Sequence, residues 1–186
     1  MEIYLLRHAR PDFSVHEDRI RPLSKEGMIE AKKACDFLAG EGIERIYSSP
    51  YKRSVQTIEP LASELGLEIV LKEDFRERKI CDEWIEDFEG FCRNQWNDFE
   101  YKLEDGESLN EVQARNIGEL KNIVENDDAN KIAIGTHGTA LSTMLNSFSS
   151  EFDYKFFQSI KSRMPVIIYI KVSDNMELKE WKILEY

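Results

Sequence analysis

The sequence predicts a layered α/β/α fold in which helices cover both faces of a central, mostly parallel mixed sheet. Two observations lead to this fold class. Strand-like apolar runs alternate along the chain with segments of helical periodicity. The 186 residues, 41% hydrophobic and 33% charged, suit one globular core rather than a disordered or fibrous chain. We therefore expect a single domain over residues 1–186.

The first half of the chain contains three predicted strands separated by two helices. The strand runs read EIYLL, RIYSS and LEIVLK. Ser24 is expected to cap a helix over about residues 25–39. The apolar positions of that helix are Met28, Ala31, Cys35 and Leu38. A second helix should start at Pro50, and Pro60 should either kink it or begin a new helix.

The pattern weakens over residues 73–105, which are acidic and aromatic without a clean period. The aromatic residues of this segment are Trp84, Phe88, Phe91, Trp96, Phe99 and Tyr101. We interpret the segment as a partly helical excursion from the core, with a small cap-like part at about 78–105.

Regular periodicity returns in the last part of the chain. Ser108 and Glu111 have capping-box spacing at the start of a predicted helix. The apolar face of that helix comprises Leu109, Val112, Leu120 and Ile123. KIAIGTHGT then predicts a strand and a turn, ALSTMLNSF a helix, and PVIIYIKV and MELKEWKIL two closing strands.

Composition excludes several classes of protein. A net charge of −11 argues against non-specific nucleic-acid binding, which requires a basic surface. No apolar run approaches the roughly 20 residues of a membrane span, and the N-terminus lacks the features of a secretory signal. Cys35, Cys81 and Cys92 form no CxxC pair, which suits a reducing compartment. We therefore expect a cytoplasmic protein without nucleic-acid or membrane partners.

The sequence predicts neither a metal site nor a cofactor. It contains no His/Cys cluster with ligand spacing, and its carboxylates are scattered. It also lacks a GxxxxGK loop and a GxGxxG turn, so nucleotide-driven chemistry has no support.

Two of the three histidines follow predicted strands directly. After the run EIYLL come Arg7 and His8. After KIAIGT comes His137, which has Gly135 before it and Gly138 after it. Arg53 follows the second strand within one helical turn. In open α/β sheets the ligand crevice lies beyond the carboxyl ends of the strands. We therefore expect His8, His137 and the two arginines to meet there.

These residues lie in motifs that resemble the histidine phosphatase, or phosphoglycerate mutase-like, superfamily. The matching stretches, in the family's order, are LLRHARP, PLSKEGMIEA, IYSSPYKRSVQT, FRE, DGESLNEV and GTHGT. Together they cover most of the chain. Three positions depart from the family pattern: Ala9 replaces a glycine, Ser14 stands where many members carry a phosphate-binding Asn, and Arg10-Pro11 replaces Glu-Thr.

The resemblance implies a metal-independent, histidine acid phosphatase-like phosphomonoester hydrolase. Its substrate would be a small phosphate ester and its product inorganic phosphate. Arg7 and Arg53 would clamp the phosphate oxygens bidentately, with His137 as a further donor. His8 would attack phosphorus to form a phosphohistidine, and Glu77 would protonate the leaving oxygen as general acid.

Three further residues are predicted to bind substrate around this core. Gly138 adjoins the second histidine, Ser14 occupies the position of the family's Asn, and Arg10 lies close enough in sequence to reach a second anionic group of the substrate.

Three alternatives to a small-molecule phosphatase remain open. A phosphoglycerate-type mutase would return the phosphoryl group to a bound intermediate, although such mutases tend to carry a longer insertion over the site. A binding module for phosphoesters or phosphoproteins would have weak or no turnover. A phosphoprotein phosphatase would differ only in its partner. The sequence predicts neither the particular phosphoester nor the oligomeric state.

Overall fold

The computed structural model describes residues 1–82 and 85–186, so the predicted aromatic Trp84 lies outside the described residues. The strands are β1 Glu2–Arg7, β2 Arg45–Ser48, β3 Ile69–Leu71, β4 Lys131–Thr136, β5 Val166–Val172 and β6 Leu178–Leu184. The helices are α1 Lys25–Leu38, α2 Lys52–Leu65, α3 Phe88–Asn97, α4 Leu109–Asn126, α5 Gly138–Asn146 and α6 Tyr154–Lys161. A 3-10 turn at Glu73–Phe75 follows β3.

The strands form one mixed sheet in the order β3-β2-β4-β1-β5-β6. β3, β2, β4 and β1 run parallel to one another, whereas β5 is antiparallel to β1 and β6 is antiparallel to β5. In the central pair, Arg7 at the end of β1 lies opposite Thr136 at the end of β4. This register brings the residues that follow the two strands to the same edge of the sheet.

Alternate side chains of β1 face opposite layers of the fold. Ile3 and Leu5 pack into a core cluster that includes residues of α4, α5 and α6. Tyr4 and Leu6 pack into a second cluster with residues of α1 and α2. Because successive side chains of a strand point to opposite faces, the sheet has a helical layer on each side. The predicted α/β/α arrangement is confirmed.

Helix starts follow the predicted capping. The Ser24 side chain accepts a hydrogen bond from Gly27 N at the start of α1. At the start of α4, both bonds of the Ser108–Glu111 capping box are present. The predicted apolar face of α4 is buried throughout.

Three details of the helices differ from the sequence-based expectation. Met28 is 43% exposed, so the buried face of α1 includes Ala34 instead. Pro60 lies inside the continuous helix α2, so the alternative that it begins a new helix is wrong. Helix α6 was not predicted, because its eight residues are too few to give a strong periodic signal.

The described part of the acidic and aromatic segment includes the 3-10 turn and helix α3, so the segment is partly helical. Trp96 of α3 packs with Leu109 and Phe157 in a small satellite cluster. This cluster joins the segment to the layer formed by α4 and α6. Within the described residues, no helix combines the length and the apolar character needed to span a bilayer.

Candidate active site

The ends of β1 and β4 bring the two predicted histidines together. The backbone N–H of His8 donates to Thr136 O at 3.0 Å, which extends the strand pairing by one residue. The ring centroids of His8 and His137 lie 5.2 Å apart, with an interplanar angle of 62°. Both rings are buried.

The His8 ring has a defined tautomer. Its Nδ1 lies 2.7 Å from the backbone oxygen of Ala9, and a carbonyl oxygen can only accept, so Nδ1 carries the proton. Burial lowers the pKa of His8 well below its ordinary value, and the charges of Arg53 and Arg7 lower it further. At neutral pH the ring is therefore uncharged, with a free lone pair on Nε2.

Ala9 fits the turn where the family pattern has glycine. Its backbone N–H donates to Thr57 Oγ1 at 3.0 Å, and its methyl group packs with Leu23 and Ala31. The described non-glycine residues include one with positive φ, Met176, so the backbone at Ala9 is open to any L-residue. The extra methyl group thus contributes to packing.

Arg7 is anchored on one side of its guanidinium. Nη1 donates to the backbone oxygens of Ile160, Lys161 and Arg163 at 2.6, 2.9 and 3.2 Å, at the C-terminal end of α6. Nε is buried and has no hydrogen-bond partner within the described residues. Burial lowers the pKa of Arg7 to about 10, so the group remains charged at neutral pH. Nε therefore has a hydrogen-bonding capacity that no described group of the protein uses.

Gly138 borders this guanidinium closely. A Cβ atom at Gly138 would lie 3.2 Å from Arg7 Nε and 3.3 Å from Cζ. A side chain at this position would therefore press on the unpaired side of Arg7, and the glycine keeps that side open.

Arg53 already has an acidic partner. Nη1 donates to the backbone oxygen of Asp18 at 2.5 Å, and Nη2 lies 3.3 Å from Oδ2 of the same residue. The guanidinium also stacks on Tyr51, with Cζ 5.0 Å from the ring centroid, and the whole residue is 3% exposed. Any phosphate bound here would share Arg53 with Asp18 or displace it.

His137 is held by Ser49 and Tyr51. Its Nε2 lies 2.8 Å from Ser49 Oγ, and its ring is 5.2 Å from the Tyr51 ring at an angle of 70°. Nδ1 is buried and has no partner among the described residues. Burial, followed by the charge of Arg53, lowers the pKa of His137 well below its ordinary value. The ring is therefore neutral in this structure rather than a cationic donor.

Glu77 reaches the site from the segment after β3. Its carboxylate accepts hydrogen bonds from the backbone N–H groups of Thr139 and Ala140, both at 3.1 Å, and from Arg78 N at 2.9 Å. The first two donors belong to the N-terminal turn of α5, which directly follows His137. The helix end therefore fixes the carboxylate beside the histidines.

Arg10 and Ser14, the two other residues predicted to bind substrate, lie at the surface. Arg10 is exposed, and Ser14 is exposed with its hydroxyl donating to Asp12 Oδ1 at 2.7 Å. Neither side chain joins the group formed by His8, His137 and the arginines. Their roles in substrate binding stay predictions.

Four residues of the site had no assigned role in the sequence analysis. They are Asp18, Arg21, Ser49 and Tyr51. Ser49 and Tyr51 lie within the quoted stretch IYSSPYKRSVQT, which was the available signal. Arg21 ion-pairs with Asp18 at 2.9 Å, and its charge is one of those that lower the pKa of His8. No sequence pattern links these two loop residues to a pocket.

Comparison with known proteins gives the family. The model of the histidine phosphatase superfamily (branch 1) matches residues 3–182. The chain belongs to the histidine phosphatase superfamily. The predicted resemblance is confirmed. The assignment of His8 and His137 as the site histidines stays a prediction.

Relatives in this superfamily carry different names. A probable phosphoglycerate mutase GpmB of Enterobacter sp. (strain 638) is 26% identical over 160 residues, which cover 79% of this chain and 74% of that protein. The phosphohistidine phosphatase SixA of Escherichia coli (strain K12) is 32% identical over 69 residues, 36% of this chain and 43% of that protein. Both likenesses are partial in identity or in coverage, so they leave the substrate open.

A solved structure shows the same fold. Mycobacterial glucosyl-3-phosphoglycerate phosphatase superposes with a TM-score of 0.79 at 19% identity, over 98% of this chain and 96% of that one. At this identity the likeness establishes the fold and says nothing of the substrate.

The described residues contain no group of three or more His, Cys, Asp or Glu side chains placed to hold a metal ion. The cations of the site are instead guanidinium groups. Metal independence stays a prediction that a chelator can test.

Proposed function

We propose that this protein hydrolyses phosphate monoesters through a phosphohistidine formed on His8. The observation that carries the proposal is the tautomer of His8, whose Nδ1–H is bound by Ala9 O so that Nε2 holds a free lone pair. That nitrogen lies in a buried site with Arg7 and Arg53, whose charges offset those of a phosphate dianion. Two buried guanidinium groups therefore supply positive charge locally within an acidic molecule.

In the first step, His8 Nε2 forms a bond to phosphorus as the bond from phosphorus to the ester oxygen breaks. Arg7 and Arg53 stabilise the charge on the phosphoryl oxygens. The departing oxygen takes a proton from Glu77, which must therefore be protonated in the substrate complex. The products of this step are the free alcohol, phosphohistidine and the Glu77 carboxylate.

In the second step, water attacks the phosphoryl group and the bond from phosphorus to His8 Nε2 breaks. Glu77 removes a proton from the attacking water and so regains its acid form. Inorganic phosphate leaves, and His8 returns to the neutral ring. Both steps use only the residues named above, without a metal ion.

The test is a panel of phosphorylated metabolites assayed for phosphate release, with and without a chelator. We expect release from at least one ester, and no effect of the chelator. Quenching in base during turnover should trap an acid-labile, base-stable phosphoenzyme, and His8→Ala should abolish both adduct and turnover. A phosphoserine, or loss of activity with the chelator, would count against the mechanism.

A mutase is the second candidate, because the relative from Enterobacter is named a probable phosphoglycerate mutase and aligns over most of this chain. The two activities differ in where the phosphoryl group goes. Incubation with 3-phosphoglycerate distinguishes them: a mutase yields 2-phosphoglycerate, whereas a phosphatase yields free phosphate.

A further inference from the structure

Arg115, on helix α4, binds the backbone that carries Glu77. Its Nη1 donates to the backbone oxygens of Asp74 and Arg76 at 2.6 and 2.8 Å, and its Nη2 lies 3.2 Å from the backbone oxygen of Glu77 itself. One guanidinium thus holds three carbonyl groups within four consecutive residues. Residues 76–82, which follow the 3-10 turn and include Glu77, belong to no helix or strand.

Glu107, just before α4, binds the same segment beyond Glu77. Its Oε2 accepts from Lys79 N at 2.9 Å, and its Oε1 accepts from Arg76 Nη2 at 2.6 Å. It also forms two hydrogen bonds with Arg115, at 2.8 and 3.1 Å. The backbone on both sides of Glu77 is therefore fixed by one ion pair.

This ion pair is shielded from water. The side chains of Arg115 and Glu107 are 10% and 16% exposed. Burial alone would raise the pKa of Glu107, but hydrogen bonds from Arg115 and from Lys79 N hold it below its ordinary value. The Glu107 carboxylate therefore remains charged at neutral pH. The planar fork of an arginine can bind the carbonyls and the carboxylate together.

We propose that Arg115 and Glu107 are positioning residues that hold Glu77 against the N-terminus of α5 and so set proton transfer to the leaving oxygen. The inference rests on the proposed role of Glu77 as general acid. Neither residue touches the substrate in this account. A general acid must lie within hydrogen-bond reach of the oxygen it protonates, and a shift of about 1 Å can cost about 10²-fold in rate.

The first test uses Arg115→Lys, which keeps the charge but loses the fork. We expect kcat/KM to fall at least about 10-fold more with an alkyl phosphate than with para-nitrophenyl phosphate, whose phenolate leaves without a proton. In a Glu77→Gln background, Arg115→Lys should leave the ratio between the two substrates unchanged, because the group it positions is gone. Glu107→Gln should also lower kcat/KM more with the alkyl phosphate than with para-nitrophenyl phosphate. It replaces Arg115→Lys in the test if that variant does not fold.

Two controls separate positioning from general destabilisation. Arg45→Lys makes the same chemical change at an ion pair with Asp127 and Asp128, away from Glu77. Leu38→Ala removes a fully buried side chain of the other core cluster and provides a matched loss of stability. Equal losses on both substrates, or the same ratio change in Leu38→Ala, would overturn the proposal.

A second readout does not depend on catalysis. The amides of Thr139 and Ala140 donate to Glu77, and Lys79 N donates to Glu107, so all three should exchange with solvent faster in Arg115→Lys. Unchanged exchange would overturn the positioning role whatever the activity. Faster exchange in a protein that hydrolyses no ester would support the positioning role and refute the proposed function separately.

Discussion

The rings of His8 and His137 face each other edge to face, with their centroids 5.2 Å apart. Both pKa values lie well below the ordinary histidine value, chiefly because both rings are buried and then because Arg53 is close to both. Two neutral imidazoles beside charged guanidinium groups make a site that favours a bound anion and disfavours protonation of either ring.

The buried histidines should make stability depend on pH. Their pKa values in the folded state lie below those in the unfolded state, about 6.5, so the unfolded chain binds more protons as pH falls. The free energy of unfolding should therefore decrease below about pH 6.5, as measured by urea denaturation at several pH values. A His8→Asn/His137→Asn variant should lose much of this slope. A wild type whose stability is flat from about pH 8 to about pH 5 would contradict this account.

Phosphate binding should take up protons. A bound dianion places negative charge beside His137 and favours its protonated form, which reverses the effect of Arg53. Calorimetric titration with inorganic phosphate at about pH 8, in buffers of different ionisation enthalpy, should show net proton uptake. The uptake should be smaller in His137→Gln. Heat that is independent of the buffer would exclude the protonation of His137.

Arg53 and Arg19 both lie near Tyr51 and provide a matched pair. The Cζ of Arg53 is 5.0 Å from the ring centroid and that of Arg19 is 5.8 Å, but Arg19 is half exposed and ion-pairs with Glu73. Arg53→Ala should lower kcat/KM by about 10²-fold or more and affect both kcat and KM, because the guanidinium would meet the transferring oxygens. Arg19→Ala should change little. If both variants change kcat/KM for a small phosphoester only slightly, Arg53 does not contact the transferring oxygens.

Glu77→Gln should discriminate between leaving groups. The kcat/KM for an alkyl phosphate should fall about 10²-fold or more, whereas the first step with para-nitrophenyl phosphate should be much less affected. Because Glu77 also acts on water in the second step for both substrates, the comparison uses kcat/KM, which reports the first step. Equal losses of kcat/KM on both substrates would falsify the general-acid role and would favour a role in the shape of the site.

Gly27→Ala should destabilise the fold. A Cβ atom at Gly27 would lie 2.1 Å from the backbone oxygen of Arg10, which also accepts a hydrogen bond from Ser24 N. Helix α1 and the turn after His8 must move apart to relieve this clash, at a cost of about 1–3 kcal/mol. Thermal or chemical denaturation measures the loss. Gly118→Ala is the control, because a Cβ atom there meets nothing within 4 Å.

Much of the site follows from local sequence. Arg7, His8 and His137 could be predicted because each lies at or just after the end of a strand, and parallel strands place their ends together. The caps at Ser24 and Ser108 depend on neighbours three residues away, so a short pattern suffices.

Other features required the folded chain. Asp18 meets Arg53 across 35 residues, and Arg115 meets the Glu77 segment across 38 to 41 residues, through contacts that leave no periodic trace. The burial that keeps His137 neutral is likewise a property of the packed layers. An arginine written in a sequence does not show whether it will bind a substrate, a carboxylate or the backbone of another loop.

The hydrogen bonds of Arg7 also bear on how the protein folds during synthesis. This guanidinium depends on carbonyl groups at residues 160, 161 and 163, and β1 pairs with strands that begin at residues 131 and 166. During synthesis β1 therefore remains unpaired until strands more than a hundred residues later in the chain have been made. Such long-range pairing slows folding and exposes nascent chains to aggregation. The candidate active site is consequently among the last parts of the molecule to form, and a stalled chain ending before α6 would lack the carbonyl groups that hold Arg7.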